Sequence, residues 1–141
     1  MQLLWAVAHG LETISKRMGA TVGVTGPQRL VVRLIGHFGQ LSAGELAELL
    51  HVHPSSLTGV LRRLETANLI RRRRDREDGR RAVLTVTASG KALNESRSGT
   101  VESAVRRTLR TMSSARTATT REVLKELARE LGVEATSARR R

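Results

Sequence analysis

The chain has 141 residues, 39% hydrophobic and 27% charged, which predicts one folded domain with a real core and excludes a disordered tail or a collagen-like repeat. It contains no cysteine, so disulfides, thiolate metal sites and cysteine redox switches are excluded. No apolar run approaches the roughly 20 residues of a membrane span, and Met1 to Trp5 reads as no signal peptide, so the expected location is the cytoplasm, at the nucleoid. The 25 basic residues against 13 acidic ones leave a net charge of +12, which points to a polyanionic partner, above all nucleic acid.

Residues 3–18 read as a helix, with Leu4, Val7, Ala8, Leu11, Ile14 and Met18 at three-to-four spacing. Gly19 to Gly26 reads as a break. Thr25-Gly26-Pro27-Gln28 then starts a second helix: Thr25 caps, Pro27 suits the first turn, and Gln28 completes a capping box. This helix runs through Leu30, Val31, Leu34 and Ile35 and stops at Gly39. Ser42 to Glu45 forms another capping box and opens a short helix carrying Leu46, Leu49 and Leu50. His51-Val52-His53 is the turn, and Pro54 suits the first turn of the next helix. That helix bears the stripe Leu57, Val60, Leu61 and Leu64, with Ser55, Ser56, Thr58, Gly59, Arg62 and Arg63 on its other side.

Leu69 to Arg74 is extended and basic, residues 75–80 have hairpin-tip chemistry, and Ala82 to Thr87 is β-branched and returns as a strand. A long helix is expected from Ala88 to Met112, weakened at Gly90 and Gly99 by about 1 kcal/mol each. Ser113 to Ala118 reads as a linker, Thr119 to Glu122 as a third capping box, and Val123 to Leu131 as a last helix ended by Gly132. Residues 133–141 read as a frayed basic tail.

Positive charge concentrates where it is most useful. Residues 1–61 are net +1, whereas 62–81 hold nine arginines against four acids. Two short helices with a tight turn, followed by two strands around an arginine-rich tip, describe a winged helix-turn-helix. The small polar residues at the start of the second helix let its free N–H groups approach phosphate. Arg62, one turn beyond Thr58, reaches a guanine edge or phosphate in the major groove. A narrow cationic tip suits the minor groove of A·T-rich DNA.

These residues resemble the MarR-type transcriptional regulators. The resemblance is carried by Leu41 to Ala47, by Pro54-Ser55-Ser56-Leu57-Thr58, by Leu64 to Ile70, and most specifically by residues 74–80 followed by Val86-Thr87-Ala88-Ser89-Gly90. Asp78 and Arg80 match the family's Asp-x-Arg in the wing, while Val86 stands where the family has Leu. The resemblance covers about residues 4–93; the last third matches in helix pattern only. It implies a mainly α fold with a small β-hairpin wing: a winged helix-turn-helix lobe (25–88), dimerisation helices (1–24 and 89–133) and a basic tail (134–141). It also implies a bacterial repressor that binds double-stranded DNA as a homodimer on a palindromic operator. Arg80 then enters the minor groove and Asp78 orients the wing by pairing with an arginine. The expected DNA-binding set is Ser42, Pro54, Ser55, Ser56, Thr58, Arg62 and Arg63, with Arg72, Arg74, Arg76, Asp78, Arg80 and Arg81 from the wing. Some family members bind small aromatic acids between the dimer helices and the lobe; His9, Arg33 and His37 are the candidate lining for such an effector here.

Other chemistries find less support. His51 and His53 flank a single residue in a turn, and the chain has no cysteine, so no metal is expected; His37 reads as a half-buried group. Ser55 and Ser56 lie near His53 without a nucleophile elbow or third member, and no phosphate-cradling glycine loop exists, so no catalytic residue and no cofactor are expected. The competing readings are a non-specific nucleoid-type binder and a winged-helix protein-interaction module.

Overall fold

The computed structural model describes residues 1–75, 81–95 and 98–133. Its elements are α1 (Gln2–Thr21), α2 (Gly26–Phe38), α3 (Ala43–Leu50), α4 (Pro54–Thr66), β1 (Ile70–Arg74), β2 (Ala82–Val86), α5 (Ala88–Glu95), α6 (Val101–Arg110) and α7 (Ser114–Glu130). The expected class, mainly helical with a two-stranded antiparallel hairpin, is the observed one.

Two predicted capping boxes form. At α2, the Thr25 N–H donates to Gln28 Oε1 at 2.9 Å and the Gln28 N–H donates to Thr25 Oγ1 at 3.5 Å. At α3, the Ser42 N–H donates to Glu45 Oε2 at 2.8 Å and the Glu45 N–H donates to Ser42 Oγ at 3.2 Å. Each box satisfies donors that a helix start leaves without partners. The helices close on one core: Val31, Val32 and Ile35 of α2, Leu46 and Ala47 of α3, and Leu57, Leu61 and Leu64 of α4, sealed by Ile70 and Leu84 of the hairpin.

β1 and β2 pair in the register Ile70↔Val86, Arg72↔Leu84, Arg74↔Ala82. Leu41 bridges the other side of β2, accepting from the Leu84 N–H at 2.7 Å. Thr87 ties the hairpin to α5: its hydroxyl donates to Asn68 O at 2.6 Å and accepts from the Gly90 N–H at 3.1 Å. Gly90 is required there, since a Cβ would sit 2.1 Å from Leu69 O.

Three expectations are corrected. α1 does not break at Gly19 but runs to Thr21, where the Val22 N–H still donates to Met18 O at 2.8 Å; one glycine costs less than the burial of Met18 returns. The long helix 88–112 is two helices, because Gly99 adopts φ +68° and Thr100 caps α6, accepting from the Ser103 N–H at 3.2 Å. Residues 114–118 are not a linker but the start of α7, capped by Ser113 rather than Thr119.

α1, α6 and α7 leave apolar side chains in solvent. Trp5 is 79% exposed, and Leu3, Leu4, Val7, Leu11, Val105, Leu109, Val123 and Leu124 are exposed with it. No residue of α7 is buried. Among the described residues no helix is long and apolar enough to cross a membrane.

Candidate nucleic-acid interface

The helix-turn-helix is built by α3, the turn at 51–53 and α4. His51 takes φ +53° and closes α3 in the left-handed region, with its N–H on Glu48 O at 3.1 Å. His53 then caps α4: its Nδ1 accepts from the Ser55 N–H at 3.3 Å and lies 2.7 Å from Ser55 Oγ. The capping role of His53 escaped the sequence reading. Its signal was position, since the residue before a proline is driven out of the helical region.

Leu57, Leu61 and Leu64 bury one side of α4 and leave Ser55, Ser56, Thr58, Gly59, Arg62 and Arg63 exposed on the other. Pro54, also exposed, occupies the first turn. Ser42 is half-buried, and its hydroxyl bonds the Glu45 carboxylate at 2.9 Å within the α3 cap.

The wing strand stands beside α4. Ile70 faces the core, so its period-two partners Arg72 and Arg74 share that side of the hairpin, while Arg71 and Arg73 share the other. Arg72 Nε lies 2.6 Å from Glu65 Oε1, which fastens the strand to the end of α4. Arg81 pairs with Glu45, which fastens the returning strand to α3. The Arg81 guanidinium, followed by the Ser42 N–H and hydroxyl, holds the Glu45 carboxyl below its ordinary value, against a weaker upward push from burial. Arg71, Arg73 and Arg74 are exposed. Arg76, Asp78 and Arg80 lie outside the described residues.

The proposed effector trio is not brought together. Arg33 and His37 line one polar cleft with Lys91, Asn94, Glu95 and Arg106, whereas His9 is exposed on α1 and is not among its walls. His37 is exposed rather than half-buried; it sits about 200° round the helix from Ile35 and meets the Phe38 ring edge-on at 4.9 Å. A larger, apolar cavity of about 610 Å³ lies elsewhere, walled by α1 (Leu11, Ser15), α2 (Leu30, Val31), α4 (Ser56, Leu57, Val60) and α6 (Val101, Glu102). Among the described residues no three histidine or acidic side chains converge on a metal-sized site.

Comparison with known proteins places this architecture. The MarR family model matches residues 24–82, the span from the α2 cap to the returning strand. An HTH-type transcriptional repressor of Mycobacterium tuberculosis is 32% identical over 107 residues, which cover 76% of this chain and 77% of that protein. The organic hydroperoxide resistance transcriptional regulator of Bacillus subtilis is 30% identical over 93 residues, 66% of this chain, and the match spans 63% of that regulator's length. In structure, the chain superposes on Staphylococcus aureus MepR from a DNA complex with a TM-score of 0.74, covering 92% of this chain and 96% of MepR at 19% identity, a likeness of fold. The chain belongs to the MarR family of transcriptional regulators.

Proposed function

We propose that the protein is a repressor that binds a palindromic duplex operator as a homodimer, with α4 in the major groove and the β1–β2 wing in the minor groove. One observation carries this reading. The exposed side of α4 presents small hydroxyls and two arginines, and an arginine strand is pinned beside it by the Arg72–Glu65 pair. The small residues let the helix seat closely; Arg62 and Arg63 supply base-edge and phosphate contacts; Arg71, Arg73 and Arg74 supply phosphate contacts. Arg80, in the segment joining the two strands, is assigned to the minor groove, and Asp78 to orienting the wing by pairing with an arginine. Ser42 and Arg81 act through the caps and ion pair that hold α3 and the wing.

The exposed apolar side chains of α1, α6 and α7 support the dimer, because a monomer would leave them in water. Regulation is assigned to a small effector in the apolar cavity, whose walls include the buried side of α4, so that an occupant acts on the reading helix. The protein works by binding and release, without covalent chemistry.

The test is footprinting on the DNA upstream of its own coding sequence. A protected palindrome is expected. Uniform protection of unrelated duplex favours a non-specific nucleoid-type binder, and no protection of any duplex overturns the reading.

A further inference from the structure

We propose that Arg29 is the positioning residue that locks the winged lobe onto the helical arm, and through that lock sets the half-site spacing the dimer accepts. The spacing part rests on the operator reading above. The lock itself rests on the geometry of one buried guanidinium.

The lobe consists of α2 to α5, and the arm contains α1 and α6. Between them the helix is broken at Gly99, with φ +68°, and restarts at the Thr100 cap. A continuous helix would transmit orientation through its own hydrogen bonds; a broken one does not, so other contacts must set the angle. Arg29 is in α2 and is 1% exposed. Its Nη1 donates to Leu93 O at 2.6 Å and its Nη2 lies 3.5 Å from Asn94 O, both at the end of α5. Its Nε lies 3.3 Å from Glu102 Oε1, in the first turn of α6. One planar guanidinium therefore reaches two carbonyls near the end of α5 and the acid in the first turn of α6.

Neighbouring contacts support the same joint. Glu102 Oε1 also faces Arg33 Nε at 3.6 Å. The Gly26 N–H donates to Ser15 Oγ of α1 at 2.9 Å, and a Cβ on Gly26 would come within 3.6 Å of Val101 Cγ2. The Gly26 contacts are neutral or apolar and tolerate small rotations, while the Arg33–Glu102 ion pair is a second, half-exposed charged tie to the same acid. The Arg29–Glu102 pair tolerates less, because turning the arm away separates a buried guanidinium from its acid while Leu93 O and Asn94 O keep it anchored to α5. A dimer reads two half-sites about one helical turn apart, so the lobe–arm angle becomes a spacing rule.

The test uses the full chain with Arg29→Lys, which keeps the charge but not the fork, and Glu102→Gln, which keeps the shape but not the charge. The first readout is affinity, corrected for active fraction, on operators whose half-sites are moved apart or together by single base pairs. Wild type is expected to lose on the order of tenfold per step, and each variant no more than about threefold. A change of stability alone scales all operators together and leaves this profile intact. The second readout needs no DNA. The chain has no cysteine, so spin labels at Glu48→Cys on α3 and Arg110→Cys on α6, both exposed, report the lobe–arm distance when labelled chain is diluted into unlabelled chain. The distribution is expected to be narrow in wild type and broad in both variants. Unchanged widths with an unchanged spacing profile in folded variants would overturn the proposal. Broadened distances with a wild type indifferent to spacing support the lock and contradict the operator reading.

Discussion

Arg81, which leads into the returning wing strand, is ion-paired to Glu45, the acid of the α3 capping box. One carboxylate therefore closes the start of α3 and anchors the wing. Because its folded pKa is depressed below 4.5, its contribution to stability is present above the unfolded value and is lost as pH falls through the folded one. The denaturation midpoint is expected to fall as pH drops below that ordinary value. Glu45→Gln should start lower at neutral pH and fall less over the same range. A variant that tracks wild type at every pH would remove this role.

Gly90 is expected to tolerate no side chain. A Cβ would overlap Leu69 O at 2.1 Å, and neither the α5 backbone nor the loop can retreat without breaking the Thr87 bonds. Gly90→Ala should destabilise by about 3 kcal/mol, read by chemical denaturation.

Gly59 offers the opposite case. A Cβ there meets nothing within 4 Å, and the residue lies inside α4. Gly59→Ala should stabilise the fold by about 0.5–1 kcal/mol. If α4 seats against DNA, the same variant should bind operator more weakly. Greater stability with undiminished operator affinity would place this side of α4 away from the duplex.

The exposed apolar side chains of the arm are expected to be covered by a second copy, over an interface above about 2,000 Å² in total. Light scattering at micromolar concentration should give a dimer for wild type. Leu109→Glu and Leu124→Glu, both at exposed positions, should shift it toward monomer and reduce operator affinity together. A monomeric wild type would contradict the dimer.

Local signals carried much of this architecture into the sequence reading. Thr25 with Gln28, and Ser42 with Glu45, specify helix starts through chemistry within four residues, and both boxes form. The stripe Leu57, Leu61 and Leu64 announces which side of α4 is buried, and so which side is free. The failures came where distant contacts decide. Thr119 to Glu122 spells a capping box, yet Thr119 and Thr120 lie inside α7 and bond back to Ala115 O at 3.1 Å and Arg116 O at 2.8 Å. Those bonds satisfy the hydroxyls without a cap, and Ser113 starts the helix with no acid to advertise it. Gly99 looked like a weak point in a helix and instead lies between two helices, with φ +68°, just before the Thr100 cap. Arg29 went unremarked because its partners, at Leu93, Asn94 and Glu102, are far away in sequence. Arg33 and His37 do share a cleft, but the larger apolar cavity is assembled from five helices and has no local signature.

In the proposed complex the exposed side of α4 reads duplex sequence, and Arg62→Ala probes this contact. Affinity for the operator and for a random duplex is measured across a salt series for wild type and variant. Wild type is expected to prefer the operator at every salt concentration. Arg62→Ala should lose about 1–3 kcal/mol on the operator and less on the random duplex, with preference relaxed at one operator position. In the same series Arg74→Ala should weaken both duplexes alike and lower the salt slope by roughly one. Wild-type affinity of Arg62→Ala for both duplexes would show that this side of α4 does not read DNA.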